Sequence, residues 1–202
     1  MLSALASIVA GYLIGAFPSA FVISRLWGKI NLLSEGTSHV SATAVYRKLG
    51  WPPFVLVILI DLTKGMLAIF IANLLTGSPI VVAITAVAAV VGHCWSVYIK
   101  FHGGLGATII YGIMLFLTPV EFFIGGAVAL LSMFILKKSS LATFLWLGSI
   151  SLGLFIEHEN VAIAALPLGL FVIQLIKQLQ SRRQKTTYKD DLLTDFKRVK
   201  KA

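Results

Sequence analysis

The sequence predicts an all-α, polytopic integral membrane protein, and three observations support that fold class. Of the 202 residues, 58% are hydrophobic and only 12% are charged, whereas soluble domains carry about 25% charged residues. Apolar runs near the ~20 residues that cross a bilayer as a helix recur as far as Lys177. Lysine and arginine occur on every second connection between these runs. We therefore expect one transmembrane domain, residues 1–180, followed by a basic cytoplasmic tail, residues 181–202.

The apolar runs divide into seven expected spans. The nearly continuous apolar interval 103–156 is cut by Pro119 with Glu121, and again by the polar residues 137–140. The resulting spans lie at residues 3–26, 53–75, 79–99, 104–118, 120–136, 141–156 and 161–177. Two of them are short, so five or six spans remain an alternative. No basic residue precedes the first run, which favours a retained span over a removable signal peptide.

The charges of the connections orient the seven spans. One set of alternate connections carries Lys29, Arg47, Lys48, Lys100, Lys137 and Lys138, and the basic tail continues that set. The opposite set carries Glu121, Glu157 and Glu159 and no lysine or arginine. Because basic residues mark the cytoplasmic side, we expect the N-terminus outside and the C-terminus in the cytoplasm.

The C-terminal region is strongly basic. Nine of the 17 lysines and arginines lie between Lys177 and Lys201, a position that suits anionic lipid headgroups better than nucleic acid. Four apolar residues in the tail follow a helical spacing: Leu192, Leu193, Phe196 and Val199. This spacing indicates a short amphipathic helix on the membrane surface, with a frayed terminus as the alternative.

The longest polar stretch before the tail, residues 27–51, is the first place to look for chemistry. It concentrates hydroxyl, imidazole and guanidinium groups at Thr37, Ser38, His39, Ser41, Thr43 and Arg47. The predicted topology puts this stretch on the cytoplasmic side, together with the turns at 100–106 and 137–143. These three connections form the expected functional face.

Ionisable residues also occur within the apolar runs. Asp61 and Lys64 are three residues apart and therefore share one helix face. Charges within a span are costly, so this pair is either functional or a structural ion pair that neutralises itself. His93 ends the third run, where it is either a functional base or a core histidine with satisfied hydrogen bonds.

A glycine-rich turn, Gly103-Gly104-Leu105-Gly106, precedes an apolar helix. Such a turn directs backbone N–H groups at an anion, although glycines also end helices for steric reasons. No His, Cys, Asp or Glu cluster has metal-ligand spacing, and Cys94 is the single cysteine. We therefore expect no metal and no cofactor. A GxSxG elbow and a histidine–aspartate motif are both absent from the sequence, which argues against lipase-like enzymes and histidine–aspartate acyltransferases.

These motifs, in this order, resemble those of the PlsY family, the acyl-phosphate:glycerol-3-phosphate acyltransferases of bacterial inner membranes. The matching segments are Gly15-Ala16-Phe17-Pro18, the loop from Gly36 through Arg47 to Gly50, Asp61 with Lys64 and Gly65, Gly92-His93, Gly103-Gly104-Leu105-Gly106, and Ser140-Leu141-Ala142-Thr143. The resemblance covers most of residues 11–177, and it implies the seven-span fold of the family.

The chain departs from the family pattern within these same motifs. Family asparagines become His39 and Ala44, and the lysine between the family's glycines becomes Leu105. The change at Leu105 removes a phosphate-binding cation. The family's C-terminal H-R-x-N-I run has no clear counterpart between residues 176 and 183.

The resemblance implies an enzyme that transfers a fatty acyl group from acyl phosphate to glycerol 3-phosphate, giving lysophosphatidate for phospholipid biosynthesis. Acyl phosphate is an activated mixed anhydride, so the glycerol hydroxyl attacks its carbonyl directly and phosphate leaves. The implied catalytic residues are Thr37, Arg47 and His93. The implied substrate-binding residues are Gly36, Ser38, His39, Thr43, Lys64, Gly103, Gly104, Ser140 and Thr143, with Asp61 as structural support. The site would face the cytoplasm from the bacterial inner membrane.

Two other functions remain open. Leu105, Ala44 and the missing C-terminal run favour a homolog with impaired catalysis that binds lipid or a partner protein. A small transporter fits the number of spans, but its polar groups would gather near the middle of the bilayer. In this sequence most of them gather at one face.

Overall fold

The structure, a computed structural model, describes the backbone of residues 1–33, 40–137, 139–157 and 159–199, and the side chains of these except residues 136, 139, 140 and 184–199. Its helices are α1 (Leu2–Ala16), α2 (Ser19–Gly28), α3 (Ala42–Leu49), α4 (Trp51–Leu75), α5 (Pro79–Cys94), α6 (Ala107–Leu117), α7 (Pro119–Leu136), α8 (Ser139–Ile156) and α9 (Val161–Val199). A 3-10 turn, Val97–Ile99, and an isolated β-bridge between Ser96 and His102 lie between α5 and α6. The all-α prediction is confirmed for the described part of the chain.

Within the described part of the chain, seven apolar helical segments overlap the seven predicted runs. Three are long and apolar enough to cross a membrane: Leu2–Gly28, Trp51–Leu75 and Val161–Arg183. Four shorter ones are also apolar: Pro79–Cys94, Ala107–Leu117, Pro119–Ile135 and Leu141–Ile156. Large apolar side chains cover the outside of the bundle, and Phe134 and Ile135 on α7 are 80% and 77% exposed. Such a surface suits lipid rather than water.

The first predicted span, residues 3–26, is interrupted. α1 ends at Ala16 and α2 begins at Ser19. Pro18 explains the break because it has no N–H to continue the hydrogen-bond ladder, and its ring drives the preceding residue out of the helical conformation. Phe17 accordingly has a ψ of 118°. The break leaves backbone carbonyl groups of α1 inside the bundle, where the site is built.

The third predicted span, residues 79–99, ends earlier than expected. α5 stops at Cys94, and the chain then turns sharply through the 3-10 segment. Lys100 and Phe101 adopt positive φ angles of 54° and 59°, a conformation that side-chain-bearing residues seldom take outside tight turns. The turn brings the glycines that follow back against the end of α5.

α1 and α5 pack at backbone distance through three glycines. A Cβ at Gly15 would collide with the backbone of Ala89, and a Cβ at Gly92 with the carbonyl of Tyr12. Gly11 meets α5 one turn earlier in α1. From the sequence alone the spacing of Gly11 and Gly15 carries little weight, because such pairs are common in membrane helices. In the structure they are the contact surface, as small residues are wherever helices approach closely in lipid.

Two clusters of buried apolar side chains hold the bundle together. The larger lies among α4, α5, α6, α8 and α9 and includes Ile69, Ile113 and Leu170. The smaller joins α2 and α3 to α4 and to the segment after α5, and it includes Val45 and Ile99. α7 packs mainly against α8 at the edge of the bundle. The smaller cluster fixes α3 beside the site.

The last predicted span and the tail form one helix. α9 begins at Val161, and its backbone stays helical to Val199. The backbone of residues 181–199 therefore continues α9, and residue 181 is not marked by a change of secondary structure. That the tail lies on the membrane surface stays a prediction. Lys177, which the sequence counts with the basic tail, is only 7% exposed.

Candidate active site

A narrow cleft, with a volume of about 10 Å³, forms where the break between α1 and α2 meets α4 and the end of α5. Its walls are Phe17, Pro18, Ser19, Ala20, Val40, Lys64, His93, Ser96, Ile99, Gly103 and Gly104. Lys64 lies near the midpoint of α4, a helix of 25 residues. The cleft thus brings together four predicted site residues from three separate parts of the sequence: Lys64, His93, Gly103 and Gly104.

Asp61 is the polar centre beside this cleft. Its Oδ1 accepts a hydrogen bond from the Ser19 hydroxyl at 2.6 Å and pairs with the Lys64 Nζ at 2.8 Å. The His93 Nδ1 lies 3.8 Å from the same oxygen. Asp61 and Lys64 are 3% and 6% exposed. Two opposite charges at such depth neutralise each other, which makes both of them tolerable there.

The carbonyl groups freed by the Pro18 break are bonded by the site. The Lys64 Nζ donates to the carbonyl of Phe17 at 2.9 Å, and the Ser96 hydroxyl donates to the carbonyl of Ala16 at 2.5 Å. Carbonyl groups at a helix end have no partner within the helix, and leaving them bare in an apolar interior is costly. Lys64 therefore has two tasks, since it neutralises Asp61 and caps α1.

The glycine turn wraps around His93. The Gly104 N–H donates to the His93 carbonyl at 3.1 Å. A Cβ at Gly104 would collide with the His93 Nε2, and a Cβ at Gly103 with the carbonyl groups of His93 and Cys94. Close approach is therefore the reason for glycine at both positions. The turn holds the imidazole at the wall of the cleft.

The C-terminal part of the polar loop, beginning at Val40, contacts the cleft. Val40 donates its N–H to the Gly103 carbonyl at 3.1 Å and lines the cleft. Ser41 then caps α3, with its hydroxyl accepting from the Ala44 N–H at 3.3 Å. Four predicted site residues precede this point, Gly36, Thr37, Ser38 and His39, and they lie outside the described residues.

Two further predicted residues of the loop lie on α3. Thr43 and Arg47 are exposed, while Ala44 and Val45 on the same helix are buried in the smaller apolar cluster. Neither Thr43 nor Arg47 is among the cleft walls. Their side chains lie at the surface of α3, and the opposite face of this helix packs in the smaller apolar cluster.

An apolar cavity lies apart from the cleft, between α6, α7 and α8. Its volume is about 540 Å³, and its lining is Tyr111, Phe122, Phe123, Gly126, Ala127, Ala129, Leu130, Met133, Ala142, Thr143 and Trp146. Thr143, a predicted substrate-binding residue, is in this lining rather than in the cleft. The side chain of Ser140, predicted with it, is outside the described residues.

The structure adds residues that the sequence analysis did not select. Ser19 and Ser96 both bond buried polar groups of the site. The sequence contains a pattern that could have predicted Ser19, because a hydroxyl residue directly after a proline in a span lies at a helix break. Lys177 could also have been selected from the sequence, because it is the last residue of an apolar run. Its Nζ lies 4.9 Å from the centroid of the Trp95 ring.

Among the residues that the structure describes, no group of three His, Cys, Asp or Glu side chains is arranged to hold a metal ion. Asp61 and His93 are the nearest approach to one, and Lys64 occupies the position that a cation would take beside the carboxylate. The expected absence of a metal and of a cofactor stays a prediction.

Comparison with known families gives a match over nearly the whole chain. The model of the family described as "Glycerol-3-phosphate acyltransferase" matches residues 5–185. A glycerol-3-phosphate acyltransferase of Syntrophotalea carbinolica is 34% identical over 178 residues, which cover 86% of this chain and 89% of the relative. One from Shouchella clausii is 34% identical over 148 residues, which cover 72% of each chain.

Solved structures give the same result for the fold. The crystal structure of PlsY (YgiH), an integral membrane glycerol 3-phosphate acyltransferase, in its glycerol 3-phosphate form is similar with a TM-score of 0.77 and 28% identity, covering 92% of both chains. Its lysophosphatidic acid form is similar with a TM-score of 0.75 and the same identity and coverage. The bundle described above therefore has the fold of an integral membrane protein.

Proposed function

This chain belongs to the glycerol-3-phosphate acyltransferase family, and from that premise we propose that it transfers a fatty acyl group to glycerol 3-phosphate in phospholipid biosynthesis. The donor is acyl phosphate and the product lysophosphatidate. The observation that carries this proposal is the convergence of separate motif residues at one cleft. Lys64, His93, Gly103 and Gly104 share its walls, and Val40 joins the polar loop to it.

The proposed reaction requires the protein mainly to position its two substrates. The glycerol hydroxyl attacks the acyl carbonyl, the bond to phosphate breaks, and phosphate leaves with its electron pair, so no covalent enzyme intermediate forms. Two anionic substrates have to be held together, and charge in the transition state has to be stabilised. Thr37 and Arg47 contact phosphate, together with Ser140 and Thr143, and His93 assists at the reacting centre. Asp61 holds Lys64 in place.

The apolar cavity is the proposed place for the acyl chain. Its volume of about 540 Å³ falls within the range of roughly 300–1,000 Å³ typical of ligand pockets. Aromatic and aliphatic side chains form nearly all of its lining, as a hydrocarbon chain requires. Thr143 stands at its wall in the motif that also holds Ser140, so the cavity begins near groups assigned to the donor phosphate.

The proposed topology has seven spans, with the N-terminus outside and the C-terminus in the cytoplasm. The one-sided distribution of connecting lysines and arginines supports it. The membrane is the bacterial inner membrane, and the polar loop and glycine turn open to the cytoplasm, where glycerol 3-phosphate is dissolved. Residues 1–180 form the catalytic domain, and residues 181–202 form a basic tail beside anionic lipid.

One observation favours a second function. Leu105 stands where the family carries a cation, and loss of a charge-assisted phosphate contact costs about 1.5–3 kcal/mol. A homolog that had lost catalysis would still bind lipid or a partner protein through the same fold. The two functions differ in whether the chain restores phospholipid synthesis.

The deciding experiment is rescue of a bacterial strain depleted of its own acyltransferase. We expect the wild-type chain to restore growth, and its membranes to make lysophosphatidate from acyl phosphate and glycerol 3-phosphate. Arg47→Ala should abolish transfer at equal membrane abundance. Good expression without rescue would favour the impaired homolog, and transfer unchanged by both Arg47→Ala and Thr37→Ala would overturn the assignment of the site.

A further inference from the structure

Lys177 is a buried lysine outside the walls of the cleft. It lies on α9, is 7% exposed, and its Nζ stands 4.9 Å from the centroid of the Trp95 ring. A lysine at the end of an apolar helix ordinarily extends its ammonium group to water or lipid headgroups. Here the ammonium group stays inside the bundle, against an aromatic face.

This ammonium group has no counter-ion in the described part of the chain. The ion pairs there join Asp61 to Lys64 and to His93, and no carboxylate pairs with Lys177. Removing an unpaired charge from water is strongly unfavourable, and the cation–π contact with Trp95 returns only part of that cost. Lys177 is thus placed to bind an anionic ligand.

Two glutamines flank Lys177 on its own helix. Gln180, three residues later, accepts a hydrogen bond from the Trp95 Nε1 at 3.1 Å. Gln174, three residues earlier, has a buried Oε1 without a hydrogen-bond partner among the described residues. Buried polar atoms without a partner are uncommon, and residues three apart lie on the same helix face. Among the described residues, an acceptor without a donor therefore lies beside a cation without a counter-ion.

The position of Lys177 connects it to the glycine turn. Its Nζ lies over the ring of Trp95, the residue that directly follows His93 and Cys94 at the end of α5. The turn packs on the same two residues, because a Cβ at Gly104 would touch the His93 ring and one at Gly106 would meet the Cys94 Sγ at 3.1 Å. Leu105 stands between these two glycines, where the family has its lysine.

We propose that Lys177 supplies from α9 the phosphate-binding charge that Leu105 does not supply from the glycine turn. Gln174 accepts a hydrogen bond from a hydroxyl of the same ligand. A phosphate monoester that carries free hydroxyl groups matches both side chains, which selects glycerol 3-phosphate over acyl phosphate, since the latter has no hydroxyl on its chain. The inference rests on the proposed acyltransferase function, and it makes Lys177 compensate for the departure from the family at Leu105.

The test compares binding and turnover in four variants of the full chain, purified into nanodiscs of zwitterionic lipid. Lys177→Gln removes the charge, and Lys177→Gln with Leu105→Lys returns a charge at the family position. Gln174→Leu removes the acceptor, and Arg182→Gln is the matched control, because Arg182 is an exposed basic residue on the same helix, α9. The measurements are the Kd of glycerol 3-phosphate by calorimetry and the KM of each substrate.

Lys177→Gln should raise the Kd and KM of glycerol 3-phosphate about 10- to 100-fold, as expected for one charge-assisted contact. The KM of acyl phosphate should stay unchanged, as should every constant of Arg182→Gln. Adding Leu105→Lys should restore most of the lost affinity. Gln174→Leu should raise the Kd by roughly 2- to 12-fold, the effect of a neutral hydrogen bond, and it provides an independent measurement should Lys177→Gln fail to fold.

Three results would overturn parts of this account in distinguishable ways. An unchanged Kd of glycerol 3-phosphate in Lys177→Gln would contradict the role of Lys177. If this variant still transferred acyl groups, the proposed acyltransferase function would stand. Binding that depends on Lys177 in a protein that transfers no acyl group would remove the proposed function alone. An effect of Lys177→Gln that appears only in nanodiscs with anionic lipid would assign Lys177 to headgroup phosphate, and so overturn the inference.

Discussion

At the scale of single residues, the site depends on one carboxylate that reaches no substrate itself. Asp61 holds Ser19 at 2.6 Å and Lys64 at 2.8 Å, and Lys64 in turn bonds the Phe17 carbonyl at 2.9 Å. The sequence left two interpretations of Asp61 and Lys64, a functional pair and a structural ion pair. The geometry supports both interpretations. The pair is buried and neutralises itself, and Lys64 also forms part of the cleft wall.

Removing the carboxylate should therefore destabilise the protein more than removing the whole pair. Asp61→Asn leaves a buried, unpaired ammonium group at Lys64, which costs about 3–5 kcal/mol. In Asp61→Asn with Lys64→Met the charge is gone, so we expect a smaller loss than in the single variant. Thermal unfolding in detergent measures both. The single variant Lys64→Met completes the comparison. If the double variant lost as much free energy of unfolding as Asp61→Asn and Lys64→Met together, Asp61 and Lys64 would act independently.

At the scale of helices, two features of the sequence have physical roles that its pattern alone does not reveal. The hydropathy of residues 3–26 indicates a span, but only Pro18 breaks it into α1 and α2 and exposes the carbonyl groups on which the cleft is built. Likewise Gly11 and Gly15 are unremarkable as a spacing, yet they let α1 lie against α5. The role of a helix break or of a glycine pair depends on which helix packs against it. The pattern of a single sequence does not reveal that packing.

The contact between α1 and α5 gives a prediction about stability. A Cβ at Gly15 would collide with the backbone of Ala89, whereas a Cβ at Gly169 would have no atom within 4 Å. Gly15→Ala should cost about 1–3 kcal/mol by overpacking, a fall of roughly 2–12 °C in Tm for a chain of this size. Gly169→Ala is the control and should be neutral or slightly stabilising. Equal Tm values for the two variants would contradict the close packing.

The helices around the apolar cavity give a prediction about specificity. Gly126 lines the cavity, and a Cβ there would have no atom within 4 Å, so Gly126→Leu should fill the space without disturbing the backbone. We expect the variant to favour shorter acyl phosphates and to keep its rate with them. Gly148→Leu on α8 is the control, since Gly148 also has open space and is outside the lining. Competition between donors of different length measures the preference, and an unchanged preference would exclude the cavity as the acyl-chain site.

At the scale of the whole molecule, the sequence was sufficient for the fold class and for the positions of the apolar segments. Composition and run length predict helices in lipid, and the helices lie where the runs do. The polar residues were harder to place. Lys177 follows an apolar run and looks like the start of the tail, but α9 continues past it and buries it against Trp95. The ion pair of Asp61 and Lys64 lies near the middle of α4, within the second predicted span.

The proposed topology is tested by reagent access to single cysteines. Cys94 is fully buried, so a Cys94→Ala background removes the native thiol. Lys137→Cys should react with a membrane-impermeant maleimide only in inverted membrane vesicles, and Glu159→Cys only in intact cells whose outer surface is accessible. Reaction of both cysteines from the same side would contradict seven spans with the N-terminus outside.

The most direct test of the central claim is the reaction of the purified chain with acyl phosphate and glycerol 3-phosphate. Because the hydroxyl attacks the mixed anhydride directly, lysophosphatidate and inorganic phosphate should appear in equal amounts, and only when glycerol 3-phosphate is present. Intact-protein mass spectrometry should find no acylated protein when it is omitted. Absence of lysophosphatidate from a folded preparation, or an acyl group covalently bound to the chain, would contradict the account.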